Sequence, residues 1–139
     1  MKDVNEFRGE YYFLSNFYDS NVEFEGITYL NNEAAFQAQK VLDLNVRKEF
    51  SNLPPNLAKA KGRKVDLRKD WESVKDELMY KIVLAKFTQN SSLNELLLLT
   101  GDRNLIEGND WNDKYWGKCK GVGLNKLGII LKQVRKELN

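Results

Sequence analysis

The hydrophobic positions of this chain change period several times, and each change marks an element. Tyr11, Phe13 and Phe17 fall at roughly alternate positions, which predicts extended structure at the start. Val22, Phe24, Ile27 and Tyr29 flank Glu25-Gly26, where a glycine permits a tight reversal, so a small β-hairpin is expected. Asn31 or Asn32 can then cap a helix from about Glu33 to Asp43, because an Asx side chain accepts from the unpaired N–H groups of a first turn. Glu33, Phe36 or Gln37, and Lys40 fall on one face of that helix.

After Asn52-Leu53-Pro54-Pro55 the pattern restarts as a short helix, Asn56 to Lys61, with Gly62 in the C′ position. Trp71, Val74, Leu78, Ile82 and Ala85 recur at spacings of three and four, which predicts a helix from about Trp71 to Phe87, with Asp70 available as its cap. Ser92-x-x-Glu95 suggests a capping box before a short buried helix over Leu96 to Leu99, and Gly101 stands where a C′ glycine belongs. Leu105-Ile106-Glu107 predicts a brief strand. Leu124, Leu127, Leu131, Val134 and Leu138 predict an amphipathic helix at the end. With no repeat, linker or low-complexity tract, residues 1–139 read as a single α+β domain, mostly helical, with a small antiparallel sheet.

Composition narrows the chemistry. The chain's 42% hydrophobic and 12% aromatic residues are those of a folded globular protein, and the net charge of +2 gives no general affinity for nucleic acid or a membrane surface. Histidine is absent, which excludes Ser-His-Asp and Cys-His schemes, imidazole bases and His-ligated metals. Cys119 is the sole cysteine, so there is no intrachain disulfide and no Cys-rich zinc site. MKDVNEFRGEYY lacks an apolar core like that of a leader, and no run approaches the ~20 apolar residues of a membrane span. A soluble, cytoplasmic protein with no membrane partner and no cofactor is expected.

Three segments carry more special residues than packing asks for. Phe13-Leu14-Ser15-Asn16-Phe17 sets an amide among rings that can stack on a planar ligand. In Asn32-Glu33-Ala34-Ala35-Phe36-Gln37-Ala38-Gln39-Lys40, a carboxylate and an ammonium about 10 Å apart along a helix, with alanines between, could frame one substrate; a glutamate at a helix start also simply suits the macrodipole. The stretch from Asp110 to Asn125 places Trp111, Tyr115 and Trp116 among acids and amides, followed by a Gly/Lys run leading to a helix N-terminus, an arrangement suited to a phosphate but not the GxxxxGK[ST] loop.

Taken in order, Ser15-Asn16-Phe17, Glu33 with Phe36-Gln37-Ala38-Gln39-Lys40, Gly62-Arg63, the run Leu67 to Lys75, Met79, Lys86-Phe87, Asp113-x-Tyr115-Trp116-Gly117 and Gly123-x-Asn125-x-Leu127-Gly128 resemble the NADAR superfamily, and within it the YbiA-like N-glycosidases. The resemblance spans nearly the whole chain. It implies an enzyme that hydrolyses the C–N bond between ribose 5-phosphate and an aminopyrimidine of early riboflavin intermediates. Other members remove ADP-ribose from guanine in DNA, so ADP-ribosylated nucleic acid is the alternative partner, and a binding module without turnover is the alternative of another class.

Cleavage of an N-ribosyl bond passes through an oxocarbenium-like state that a carboxylate can stabilise without histidine or metal. The matching motifs offer Glu33 and Asp113 for this role, with Lys40 as an alternative, a nucleophile at C1′. The resemblance also implies that Trp71 and Trp116 stack on the base or shield the site, that Arg63, Arg68, Lys118 and Lys120 hold the phosphate, and that Asn16, Phe17, Tyr115, Gly117 and Asn125 line the substrate site. This chain departs from the family in having Asn32-Glu33-Ala34 where the helix often opens Ser-Glu-His, Lys118 where an acid often follows Tyr-Trp-Gly, and a shorter Gly-rich loop. These departures bear on the substrate more than on the reaction. The oligomeric state is left open.

Overall fold

A computed structural model describes residues 2–139, whose contacts gather into a central unit, Asn16–Gln89, and a terminal unit made of residues 2–15 and Asn90–Asn139. In the central unit, β1 (Val22–Phe24) and β2 (Ile27–Tyr29) pair antiparallel with Val22 opposite Tyr29 and Phe24 opposite Ile27. The reversal is the expected one: Glu25 and Gly26 take φ of 49° and 85°, the consecutive positive values of a turn whose twist matches its strands. The four apolar residues are buried, while Glu23 and Thr28 face solvent.

Helix α1 (Asn32–Ala38) is the core of this unit, packed against the hairpin, α2 (Leu44–Lys48), α3 (Pro55–Gly62) and α4 (Trp71–Gln89), with every residue buried. Of the two predicted caps, Asn31 is the one used: its Oδ1 accepts from the Ala34 N–H at 2.8 Å while its Nδ2 donates to the Leu53 carbonyl at 3.1 Å. The helix ends at Ala38, five residues before the expected Asp43, which instead caps α2 by accepting from the Asn45 N–H. Distant groups cause this early end. The Arg68 N–H donates to the Lys40 carbonyl at 2.8 Å and Arg47 Nε to the Val41 carbonyl at 2.8 Å, leaving the amides of Gln39, Lys40 and Val41 in tighter i→i−3 bonds.

Two further expectations are corrected here. Gly62 closes α3 within the helix rather than lying past it, and it is needed for close approach: a Cβ there would lie 1.9 Å from Gln37 Oε1. The buried face of α4 is Trp71, Met79, Ile82, Val83, Lys86 and Phe87, whereas Val74, Leu78 and Ala85 are only part-buried. The apolar stripe is rotated because Lys86 sinks its stem into the core. Asp70 gives both carboxylate oxygens to Arg68, at 2.6 and 2.9 Å, so its side chain is committed there.

In the terminal unit, Gly9–Leu14 forms a 3₁₀ helix where extended chain was expected, and Phe13 and Leu14 are its buried residues. Three residues per turn, like the alternation of a strand, can bury some of a run of aromatics, and the start of the chain is tied down elsewhere: Val4 bridges to Leu105, its N–H donating to the Asn104 carbonyl. The brief strand expected at 105–107 is thus a single bridge followed by β3 (Gly108–Asn109), which pairs in parallel with β4 (Lys118–Cys119). Helix α5 (Ser91–Leu99) starts before the supposed capping box, shows no side-chain cap bond, and exposes Leu96 and Leu99 while burying Leu93 and Leu97. Gly101, at φ 63°, is the left-handed residue expected after it. Helix α6 (Lys126–Leu138) packs on α5 through an apolar face that includes Leu127, Leu131 and Val134; Leu124 lies outside it and is exposed. Among the described residues no helix is long and apolar enough to cross a membrane.

Candidate active site

Glu33 opens α1, where the dipole favours a carboxylate, yet it is 9% exposed. Its backbone N–H donates to the Asn16 carbonyl at 3.0 Å, which fixes the start of the helix against the segment before β1. One turn on, Gln37 Nε2 donates to Glu33 Oε2 at 2.7 Å. A burial this deep is costly for an ionised group unless charge-assisted hydrogen bonds replace its water, and this short bond is one of them. Asn32 is 1% exposed, and neither polar atom of its amide has a hydrogen-bond partner.

Lys40 stands two residues beyond α1. Its Nζ lies 6.0 Å from the centre of the Trp71 ring and 3.4 Å from the Gly62 carbonyl, to which it donates. Burial holds this amine below the usual lysine value; the Glu33 carboxylate pulls it back up, while Arg63 and Lys75 push it further down. Trp71 is buried and tilted against Phe36, ring centres 5.1 Å apart. In the central unit Asn16 bonds the start of the helix at Glu33, and Lys40 is near Trp71 and within the influence of the Glu33 carboxylate.

The remaining candidates of this unit differ in availability. Arg63 is exposed at the end of α3, whereas Arg68 has its guanidinium in a two-pronged bond to Asp70 and a further contact to the Gln39 carbonyl. Phe17 is half-buried beneath the Lys59 ammonium, 6.0 Å above its ring centre. Asn16 Nδ2 points to Met79 Sδ at 3.5 Å. Cavities of about 440 and 570 Å³ in this unit are lined around Leu42 and Arg68, not by Glu33 or Lys40.

In the terminal unit the DxYWG segment is a braced loop. Asp113 Oδ1 accepts from the backbone N–H groups of Tyr115 (3.1 Å) and Trp116 (2.9 Å), and the Asn109 side chain clasps the Asp113 backbone at both its N–H and its carbonyl. Asp113 thereby shapes the turn that sets Trp116 edge-on to Tyr115 at 4.8 Å. Gly117 is buried against Glu107, where a Cβ would fall 2.1 Å from the Glu107 carbonyl oxygen. Asn125, left-handed at φ 54°, accepts from the Glu107 N–H and donates to the Leu105 carbonyl, so it pins this loop's base. Lys118 and Lys120 line one cavity of about 450 Å³ with Arg8, whose charge is balanced there by Asp110.

The NADAR domain family matches residues 4–139 of this sequence. The chain belongs to the NADAR family. The N-glycosidase YbiA of Escherichia coli is 40% identical to this NADAR chain over 129 residues, 90% of this chain and 80% of that protein. A protein of Vibrio vulnificus named as a riboflavin biosynthesis protein is 35% identical over 130 residues, 91% of this chain and 35% of that one. The solution structure of Escherichia coli YbiA superposes with a TM-score of 0.86 and 39% identity, covering 99% of this chain and 86% of that one. The fold is thus that of YbiA, mostly helical with a small antiparallel sheet, and the parallel pair β3–β4 adds to it. These relatives place the NADAR chain among the N-glycosidases, hydrolases of N-glycosyl bonds.

Two residues at this site were quoted in the motifs but given no part in the chemistry by the sequence: Gln37, and Gly62, which was read only as a helix terminator. The i, i+4 spacing of Glu33 and Gln37 was a legible signal for their bond. The gap at Gly62 was not, because it depends on how closely α3 approaches α1. Among the described residues no group of three or more Asp, Glu or Cys side chains could hold a metal ion.

Proposed function

We propose that this NADAR protein hydrolyses the bond between C1′ of ribose 5-phosphate and the nitrogen of an aminopyrimidine, that it needs no metal or cofactor, and that Glu33 and Lys40 are at the centre of the chemistry. The observation that carries this reading is the buried Glu33 carboxylate, held by Gln37, beside a partly desolvated ammonium that faces an indole. As the C1′–N bond breaks, its electron pair leaves with the base nitrogen, which takes up a proton, and positive charge collects on C1′ and the ring oxygen. A carboxylate in a poorly solvated place stabilises that charge more strongly than one in water. Water then adds to C1′ and loses a proton to the same carboxylate, which releases it to solvent in place of the one that the base nitrogen took up.

The alternative course uses Lys40 as the group that bonds to C1′, and burial favours it by leaving more of the amine unprotonated. Trp71 is suited to shield or stack on the base. Of the two cations of the central unit assigned to the phosphate, Arg63 is the more available, because Arg68 already serves Asp70. Asp113 acts on this reading by shaping the loop of Tyr115 and Trp116 rather than on the sugar. The family match runs from residue 4 to residue 139 and so covers both units, which supports a single working domain. A phosphorylated riboside does not cross a lipid bilayer unaided, so the cytoplasm is the compartment we assign to the reaction.

The test is incubation with a ribosylaminopyrimidine 5-phosphate and, in parallel, with ADP-ribosylated guanine in DNA, assaying free ribose 5-phosphate and free ADP-ribose. Release from the pyrimidine alone supports the reading, release from the DNA alone moves the substrate to the alternative, and binding without release from either makes the chain a recognition module.

A further inference from the structure

Gln37 has one amide and two different neighbours. Its Nε2 donates to Glu33 Oε2 at 2.7 Å, and its Oε1, buried without a hydrogen-bond partner, rests against the bare Cα of Gly62. An orphaned buried acceptor is unfavourable, so this orientation is held by what the other end of the amide gains, a charge-assisted bond to a carboxylate. The contact with Gly62 is informative for a second reason. A Cβ at that position would overlap the Gln37 amide, at 1.9 Å from Oε1 and 2.7 Å from Cδ, and not the backbone of another element. Gly62 is therefore spatially matched to the far end of one flexible side chain. By contrast, a Cβ at Gly108, Gly117 or Gly128 would strike backbone carbonyls, at 2.1, 2.1 and 1.8 Å.

Resting on the reading of Glu33 given above, we propose that Gln37 is a positioning residue for the reaction: it holds the Glu33 carboxylate in one rotamer, and Gly62 is the gap that seats its amide. A carboxylate free to rotate would spend part of its time turned from C1′, and one deprived of its donor would be less readily ionised, so both losses fall on the chemical step. Lys40, two residues beyond the far end of α1, interacts with Glu33 as a cation that favours its ionised form, and Arg63 from the end of α3 and Lys75 from α4 act in turn on Lys40.

The experiment measures kcat, KM and the pH profile of kcat for release of ribose 5-phosphate from a ribosylaminopyrimidine 5-phosphate in Glu33→Gln, Gln37→Met, Gly62→Ala and the double variant Gln37→Met/Gly62→Ala, with thermal melts to establish folding. Gln37→Met keeps the side chain's length and removes the donor. The expected result is a fall in kcat of about tenfold with KM nearly unchanged, and an acid limb of the profile displaced to higher pH. Gly62→Ala reproduces both by displacing the amide, and the double variant is no slower than Gln37→Met alone, because the two act through one bond. If Gln37→Met is misfolded, the same pair of readouts on Gly62→Ala decides. Losses that multiply in the double variant, or an unmoved acid limb and kcat in Gln37→Met while Glu33→Gln is inactive, overturn the positioning role. A fully active Glu33→Gln overturns instead the reading of Glu33 on which it rests.

Discussion

Replacing Lys86 with methionine should make the protein more stable at neutral and acid pH and remove a pH dependence that the parent shows. Lys86 lies on α4 with 1% of its surface exposed, and burial lowers its ammonium from the ordinary 10.5 to about 7. Below pH 7 both folded and unfolded chains carry this proton, and burial of the charge costs the folded state about 5 kcal/mol, at 1.36 kcal/mol per unit of depression, before the contacts of the ammonium are counted. Between about 7 and 10.5 the unfolded chain binds the proton and the folded one does not, so stability climbs by about 1.4 kcal/mol per pH unit, and above that it levels. Some of the cost is offset by the rings of Tyr18 and Phe87, whose centres lie 5.5 and 5.2 Å from the ammonium and contribute on the order of 1–2 kcal/mol each when desolvated. Methionine matches the stem and forgoes both the cost and the ring contacts, so Lys86→Met should gain about 1–3 kcal/mol at pH 6. Urea unfolding followed by circular dichroism at pH 6, 7.5 and 9 would measure it. The decisive quantity is the difference between parent and variant: it should shrink from pH 7.5 to 9 and change sign where the parent has shed its proton. A difference that stays constant across that range would refute the reasoning.

Four further outcomes follow from the site and its frame. Glu33→Gln keeps size and an acceptor but removes the charge, so equilibrium binding of the aminopyrimidine riboside should persist while single-turnover cleavage slows by roughly 10²-fold or more; normal turnover would move the chemistry elsewhere. If Lys40 bonds to C1′, borohydride during turnover should leave a sugar adduct detectable by mass on the peptide holding Lys40, and Lys40→Arg should abolish it, since a guanidinium stays protonated; activity should in either case survive EDTA. Gly117→Ala should lower the melting temperature by several degrees, because its Cβ would meet the Glu107 carbonyl at 2.1 Å and only a backbone shift can relieve that; a variant that melts with the parent would show that the loop yields freely.

The sequence made the hairpin, the caps at Asn31 and Gly101, and the start of α4 legible because each rests on local chemistry: a left-handed glycine, an Asx acceptor, a helical period. It misplaced the end of α1 because the carbonyls beyond Ala38 are taken by Arg47 and Arg68, residues no window around the helix contains. The buried face of α4 was rotated because a pattern of apolar letters counts Lys86 as outward, while its alkyl stem and depressed charge let it lie inward. Glu33 and Lys40 were readable as candidates from the FQAQK motif. The i, i+4 spacing also announced the bond from Gln37 to Glu33, but the seat of the Gln37 amide was not readable, since it is a missing Cβ twenty-five positions away.

The setting of the indoles gives this protein a built-in optical reporter. Trp111 is 49% exposed, whereas Trp71 is 6% exposed with an ammonium 6.0 Å from its ring centre. Acrylamide in solvent will therefore quench Trp111 well before Trp71, and the emission that survives belongs largely to rings shielded from the quencher. A nearby cation shifts indole emission, so the Trp71 part of that residual signal follows the charge on Lys40, and Lys40→Met separates it from the half-buried Trp116. Titrating pH or adding a riboside while watching the shielded fraction follows the site without label, substrate turnover or a coupled enzyme.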